Sequence, residues 1–210
     1  MINSNDLTTA RRCSKLYNDN LKHKEILFLF QDKDSREFNY VEVKFKPENF
    51  QHLTGILVKD KTKCGGANDF LNLMSSNRLN EEDCFYKADG TTKLKLMILP
   101  SIMNIGKTAR MIGDYDSSRI NIVADKVCGG QAMTLAILKD NTGDYVPCSV
   151  LRDDVRRMTN KPNSIRAAYI RTYKNELGKD ILEPYCLLSK SKAFDEKVLP
   201  QTIIDHLTCK

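Results

Sequence analysis

The chain has 210 residues and a mass of 24.0 kDa, with 41% hydrophobic and 29% charged residues and a formal net charge of +6. That length suits one domain with a sizeable core, and no apolar run approaches the roughly 20 residues that a membrane-spanning helix needs. Seven cysteines, at 13, 64, 84, 128, 148, 186 and 209, are an odd number without a CxxC pair. This speaks against a disulfide framework or a zinc ribbon and for reduced thiols in a cytoplasmic protein, as does a polar N-terminus without the layout of a signal peptide.

In chain order, residues 4 to 22 predict a helix, because Leu7, Ala10, Cys13, Leu16 and Tyr17 recur at helical spacing and Ser4 or Asn5 can cap it. "EILFLF" (25–30) is a short apolar run between charges and predicts a strand. "DKDS" is turn-like and leads into "FNYVEVKF" (38–45), where Val41, Val43 and Phe45 alternate with Tyr40, Glu42 and Lys44, as in a hairpin with one buried face. "QHLTGILV" (51–58) reads as a further strand and "GGANDFLNLMSSNRL" (65–79) as a helix entered through Gly-Gly. The turn at Asp89-Gly90 in "KADGTTKLKLMIL" is expected to open a strand.

Strands follow at "RINIVAD" (119–125) and "QAMTLAILKD" (131–140), and "YVPCSVL" (145–151) pairs back across the turn Asn141-Thr142-Gly143. "RDDVRRMT" is a helical turn or a loop, and "SIRAAYIRTY" (164–173) a last strand, with a helix as the other reading. Short turns between successive strands predict an α+β fold: an N-terminal helix and further helices packed on a mainly antiparallel β-sheet. Beyond residue 175, Ile181, Leu182, Tyr185, Leu187 and Leu188 form an apolar cluster expected to dock on the domain. The domain is therefore drawn as 1–188 and a C-terminal extension as 189–210, the latter with one short helix, "PQTIIDHL", held loosely.

Three features bear on chemistry. Gly106-Lys107-Thr108 mimics a phosphate loop, yet the glycine needed four residues earlier is Ser101, and Gly113 ends any helix too soon, so nucleotide binding is rejected. Charge is uneven: residues 152–174 carry seven cations against two acids, with Tyr169 and Tyr173 interleaved, whereas 175–210 carry five lysines against six acids. Clustered cations with aromatics suit phosphate contact and base stacking, although a solvated face is the commoner meaning of a charge run. Of three histidines, His23 ends the first helix and His206 lies near the end of the chain. His52 sits in an apolar, strand-like setting with Thr54 on the same face, either as a hydrogen-bonded core ring or as a general acid or base. No HxH or HExxH spacing offers a metal site, and no cofactor is implied.

The succession "NFQHLTGI", "ANDFLNLMSSNRL", "ADGTTKLKLMILPSI", "IGDY", "ADKVCGG" and "YVPCSVLRDDVRR" resembles a phage- and mobile-element-associated branch of the barnase–EndoU–colicin–RelE-like nucleases, over about residues 8 to 175. The resemblance implies helices followed by a curved antiparallel sheet whose face cleaves RNA without a metal. It makes His52 the acid or base, Thr54 a group that orients the scissile phosphate, and Lys126 a source of electrostatic stabilisation. Ser149, at the end of its strand and facing opposite to Cys148, joins that catalytic set. Arg152, Arg156, Arg157, Arg166 and Arg171 are the expected RNA contacts. The alternative is a non-catalytic protein on the same scaffold, either an inhibitor of host defence or a nucleic-acid-binding module. The partners implied are RNA and an immunity or host defence protein, with no membrane.

Overall fold

The computed structural model describes residues 1–176 and 179–208. Helix α1 (Ser4–Asn20) forms where Leu7, Ala10, Cys13 and Tyr17 make one buried stripe, and Asn3 caps it by accepting from the Asp6 amide at 2.8 Å. Strands β1 (Lys24–Gln31) and β2 (Phe38–Phe45) form the expected hairpin, paired from Lys24 opposite Phe45 to Gln31 opposite Phe38. Then come α2 (Asn49–Thr54), β3 (Leu57–Val58), α3 (Ala67–Ser75), β4 (Cys84–Phe85), α4 (Thr91–Ile102) and α5 (Ile105–Thr108). A meander of β5 (Met111–Asp114), β6 (Lys126–Gly129), β7 (Thr134–Lys139) and β8 (Tyr145–Leu151) precedes the long β9 (Asn163–Glu176). The chain closes with β10 (Lys179–Leu182), β11 (Cys186–Lys190) and α6 (Gln201–Leu207). Among the described residues no helix is long and apolar enough to cross a membrane.

The main sheet runs β2-β1-β9-β5-β6-β7-β8, with every neighbouring pair antiparallel. Strand β9 is its spine. One edge of β9 pairs with β1, and the other is shared among β5 at Asn163 and Ser164, β11 from Ala167 to Ile170, and β10 from Tyr173 to Glu176. The sheet curls until its ends meet: Lys44 of β2 reaches Asp144, in the β7–β8 turn, at 2.7 Å, and Lys46 reaches Asp140 at 2.5 Å. Helices α1 to α4 cover the inner face, where Tyr17, Phe28, Phe45, Phe50 and Phe70 are fully buried.

Four expectations are corrected. Residues 49–54 are helical rather than extended, because Phe50 and Leu53, three apart, both point into the core, and only Leu57 and Val58 remain as strand. The lysine–leucine alternation of 91–97 imitates a strand, but the buried set is Thr92, Lys95, Leu96, Leu99 and Ile102, which is helical spacing. Residues 119–125 form no strand; Ile120 and Val123 stay exposed, and the next strand starts at Lys126. The stretch after 188 is not held loosely. Strand β11 runs across the line drawn between 188 and 189, and Phe194, Leu199, Ile203 and Leu207 bury themselves with Leu27, Leu29, Ala167 and Tyr169 on the outer face.

The glycine of the false phosphate loop has a packing role: a Cβ on Gly106 would collide with Leu188 of β11, so the glycine lets α5 lie close against that strand. The cysteines at 13, 64, 84, 128, 148 and 186 are free thiols, and Cys209 lies outside the described residues.

Candidate active site

Helix α2 ends at Gly55, whose φ of +67° lies in the left-handed region that glycine enters without cost. The Gly55 carbonyl accepts from Thr92 Oγ1 at 2.8 Å, and the same hydroxyl accepts from the Lys87 amide at 2.9 Å. This bolts the end of α2 to the start of α4. A Cβ on Gly55 would stand 3.1 Å from Lys95 Cδ, so the glycine also leaves room for Lys95, whose Nζ donates to the His52 carbonyl at 3.0 Å. The His52 side chain itself is exposed.

Lys95 is only 7% exposed and makes no ion pair among the described residues. Burial, reinforced by the nearby Lys87 ammonium, pushes its pKa down to about 8, against a weaker pull from Cys148 and Asp89. The His52 ring is partly desolvated by its surroundings, and this together with Lys95 and Lys87 holds it below the ordinary imidazole value of 6.5, with Glu48 opposing. His52 is therefore a neutral imidazole at neutral pH, able to take a proton. Burial pushes the Cys148 thiol up to about 11, which leaves it protonated and a poor nucleophile.

A groove of about 780 Å³ borders the other end of α2. Glu48 lines it, and Glu48 and His52, four residues apart, share one face of that helix. Its cations Lys22, Lys44 and Lys46 are matched by Glu48, Asp144 and Asp180; Lys44 alone bridges Asp144 at 2.7 Å and Asp180 at 2.8 Å. The groove is polar but charge-balanced. Among the described residues no group of three or more His, Cys, Asp or Glu side chains is arranged to hold a metal ion.

The other expected site residues have local partners of their own. Thr54 is fully buried, and its hydroxyl donates to the Gln51 carbonyl at 2.9 Å and accepts from the Ile56 amide at 3.1 Å, which fixes the turn after α2. Lys126 bonds Asp114 across β5 and β6 at 2.5 Å and sits over the Tyr145 ring. Ser149 lies opposite Ala136, beside a bulge that leaves Cys148 without a register partner. Cys148 packs against the outer apolar cluster that contains Ala136. No hydrogen bond or ion pair joins Lys126 or Ser149 to His52 among the described residues.

Of the arginines, Arg152 is exposed and lays Nη1 3.6 Å from Met97 Sδ, on the exposed face of α4. Arg156 is paired with Asp154, Arg157 is 3.5 Å from Asp153, and Arg166 donates to Gln31 Oε1 at 3.1 Å. Arg171 is internal rather than an RNA-facing cation. It is 8% exposed, bound to Glu25 at 2.5 Å and Glu42 at 3.4 Å, and lies over the Tyr185 ring. Lys87 and Lys95, which surround His52, are absent from the expected set. Helical spacing from Thr92 and Leu99 turns Lys95 inward.

A family model described as phage-Barnase-EndoU-ColicinE5/D-RelE like nuclease 4 matches residues 11–187 of the chain. No curated protein and no solved structure matches it.

Proposed function

We propose, since the chain belongs to the phage-Barnase-EndoU-ColicinE5/D-RelE like nuclease 4 family, that it is a metal-independent endoribonuclease of phage or mobile-element origin, acting in the cytoplasm with His52 as its general base. The observation that carries this reading is an exposed His52 at the end of α2, its backbone carbonyl bonded by the buried Lys95, and its ring held below the ordinary imidazole value by partial desolvation and then by Lys95 and Lys87. The neutral ring takes the proton of the ribose 2′-hydroxyl, the 2′-oxygen attacks phosphorus, and the bond from phosphorus to the 5′-oxygen breaks. That oxygen leaves with a proton from water. The products are a 2′,3′-cyclic phosphate and a 5′-hydroxyl end. Lys95 and Lys87 favour the charge that develops on the phosphoryl oxygens, and Arg152 takes a flanking phosphate. Thr54 serves by holding the turn that carries His52.

The test is cleavage of an end-labelled RNA in EDTA. His52→Gln is expected to slow cleavage at least about 100-fold with the melting temperature unchanged, and the wild-type product carries a cyclic phosphate. The acid limb of kcat/KM is expected below pH 6.5 and moves upward in Lys95→Met, because loss of the ammonium relieves the depression of the imidazole. Wild-type rates in His52→Gln sink the assignment. The charge balance of the neighbouring groove favours a second reading, a non-catalytic protein that docks an immunity or host defence protein there; that reading predicts an intact chain that never cuts RNA.

A further inference from the structure

Strands β5 and β11 both pair with one edge of β9, and between them they leave a gap at Ile165 and Arg166. The backbone is pinned on each side of it: the Ile165 amide donates to the Arg110 carbonyl at 2.9 Å, and the Ser191 amide donates to the Arg166 carbonyl at 2.8 Å. A wedge of about 320 Å³ opens there. Three adjacent backbones present cations to it: Arg110 before β5, Arg166 within β9, and Lys190 and Lys192 at and just after the end of β11. No carboxylate lines it among the described residues.

These charges are not neutralised elsewhere. The Arg110 guanidinium donates to the Lys107 carbonyl and that of Arg166 to the Gln31 amide oxygen, both uncharged acceptors. Arg110, Arg166, Lys190 and Lys192 make no ion pair among the described residues. The Ser191 hydroxyl, also in the lining, has no hydrogen-bond partner among the described residues. On the far side of Arg166 a second hollow of about 320 Å³ adds Lys33 and Arg36, and the acid in its lining, Asp32, is bridged by Lys161 at 3.0 Å. Positive side chains thus continue from Lys192 through Arg166 to Arg36. The groove beside α2, by contrast, is charge-balanced and offers a polyanion no net attraction.

We infer that the wedge between β5 and β11 is a phosphate-backbone subsite, in which Arg110, Arg166, Lys190 and Lys192 hold consecutive phosphates of a single-stranded nucleic acid. Arginines fixed by neutral acceptors keep guanidinium N–H groups for phosphate oxygens, and strand ends fix their spacing. Lys190 and Lys192 lie beyond the residues matched by the family model. The inference rests on the nuclease reading for the identity of the polyanion, but binding tests it apart from cleavage.

The measurement is fluorescence anisotropy of a 2′-O-methyl oligoribonucleotide, which lacks the 2′-hydroxyl and cannot be cut by the proposed route, titrated at several salt concentrations. Each phosphate contact contributes about 0.7 to the slope of log affinity against log salt for single strands. The double variant Lys190→Gln/Lys192→Gln is expected to flatten the slope by about 1.4 and to weaken binding severalfold, and Arg166→Gln to flatten it further. The control pair Lys15→Gln/Lys61→Gln, exposed lysines outside the wedge, removes the same net charge and should leave the slope in place. Equal slopes for the two double variants overturn the subsite, as does wild-type protein that fails to bind the strand at low salt. A flattened slope in the wedge variant of a chain that never cleaves RNA upholds the subsite and removes the catalytic reading instead.

Discussion

On the inner face of the sheet, Phe28, Val43 and Phe45 meet Phe50, Phe70 and Leu99 from α2, α3 and α4; on the outer face, Leu27, Leu29 and Tyr169 meet Phe194, Leu199, Ile203 and Leu207. Strand β1 is buried on both sides, alternating Ile26 and Phe28 inward with Leu27 and Leu29 outward, so it needs two covers. The inner cover, apart from the first residues of α1, lies within the residues matched by the family, whereas the helical part of the outer one lies wholly beyond them. The outer cover is also bolted by polar groups. Glu42 contacts His206 at 2.7 Å, the Tyr40 ring stacks on that imidazole, and the Tyr185 hydroxyl donates to both Glu25 and Glu42 beside Arg171. Removing the cover would strip Glu42 of its His206 contact as well as bare four large apolar side chains. The terminal segment is thus a wall of the fold, built from a different kind of chain than the inner wall.

The largest expected effect comes from deleting residues 194–210. Four apolar side chains at about 1.5–3 kcal/mol each amount to roughly 6 kcal/mol or more, comparable with the whole stability of a domain. The truncated chain is expected to be unfolded or to bind a hydrophobic dye at 25 °C; a melting temperature within a few degrees of full length would make the outer wall dispensable. The inner face supplies the next effect. Phe50 is fully buried, with its ring 5.2 Å from Tyr17 and 6.0 Å from Phe70 between centroids. Phe50→Ala is expected to cost about 3–5 kcal/mol in urea unfolding, less than the truncation. The reverse order would mean that the inner wall alone holds the sheet.

The difference between the walls also explains what the sequence made legible. The hairpin of β1 and β2 and the β7–β8 pair are legible because apolar or alternating runs flank a turn in each. The six residues of α2 contain too few buried positions to establish a period, and α4 carries an alternation that tertiary burial overrides, so both imitate strands. The outer wall consists of a short helix and isolated side chains, and no local pattern announces Phe194 or Leu199 as buried. The site was legible in the same uneven way. His52 stood out by residue type, but its lysine neighbours depend on how α2 meets α4, and the burial of Arg171 depends on Glu25, 146 residues away. The wedge has no sequence signature because its cations come from positions 110, 166, 190 and 192, which only the divergence of two strands from β9 unites.

The smallest expected effect concerns Lys95, an inner-wall position where function and stability pull in opposite directions. Its pKa is lowered from 10.5 in the unfolded chain to about 8 in the fold, chiefly by burial. Between those values the unfolded chain binds the proton and the folded one does not, so this residue makes stability rise with pH from about 8 to 10.5. Below pH 8 both states are charged, and the fold bears the cost of a buried ammonium. Lys95→Met keeps the apolar stem and removes the charge. It is expected to raise unfolding free energy at pH 7 by about 1–2 kcal/mol, because the relief of burial outweighs the lost hydrogen bond to the His52 carbonyl. The gain should shrink toward zero or below by pH 10.5, where the wild-type lysine is neutral as well. Other groups titrate in the same window, so the informative quantity is the difference between the two proteins at each pH. A difference that stays flat from pH 7 to 10.5 would mean that Lys95 reaches water and is not the buried cation that depresses His52.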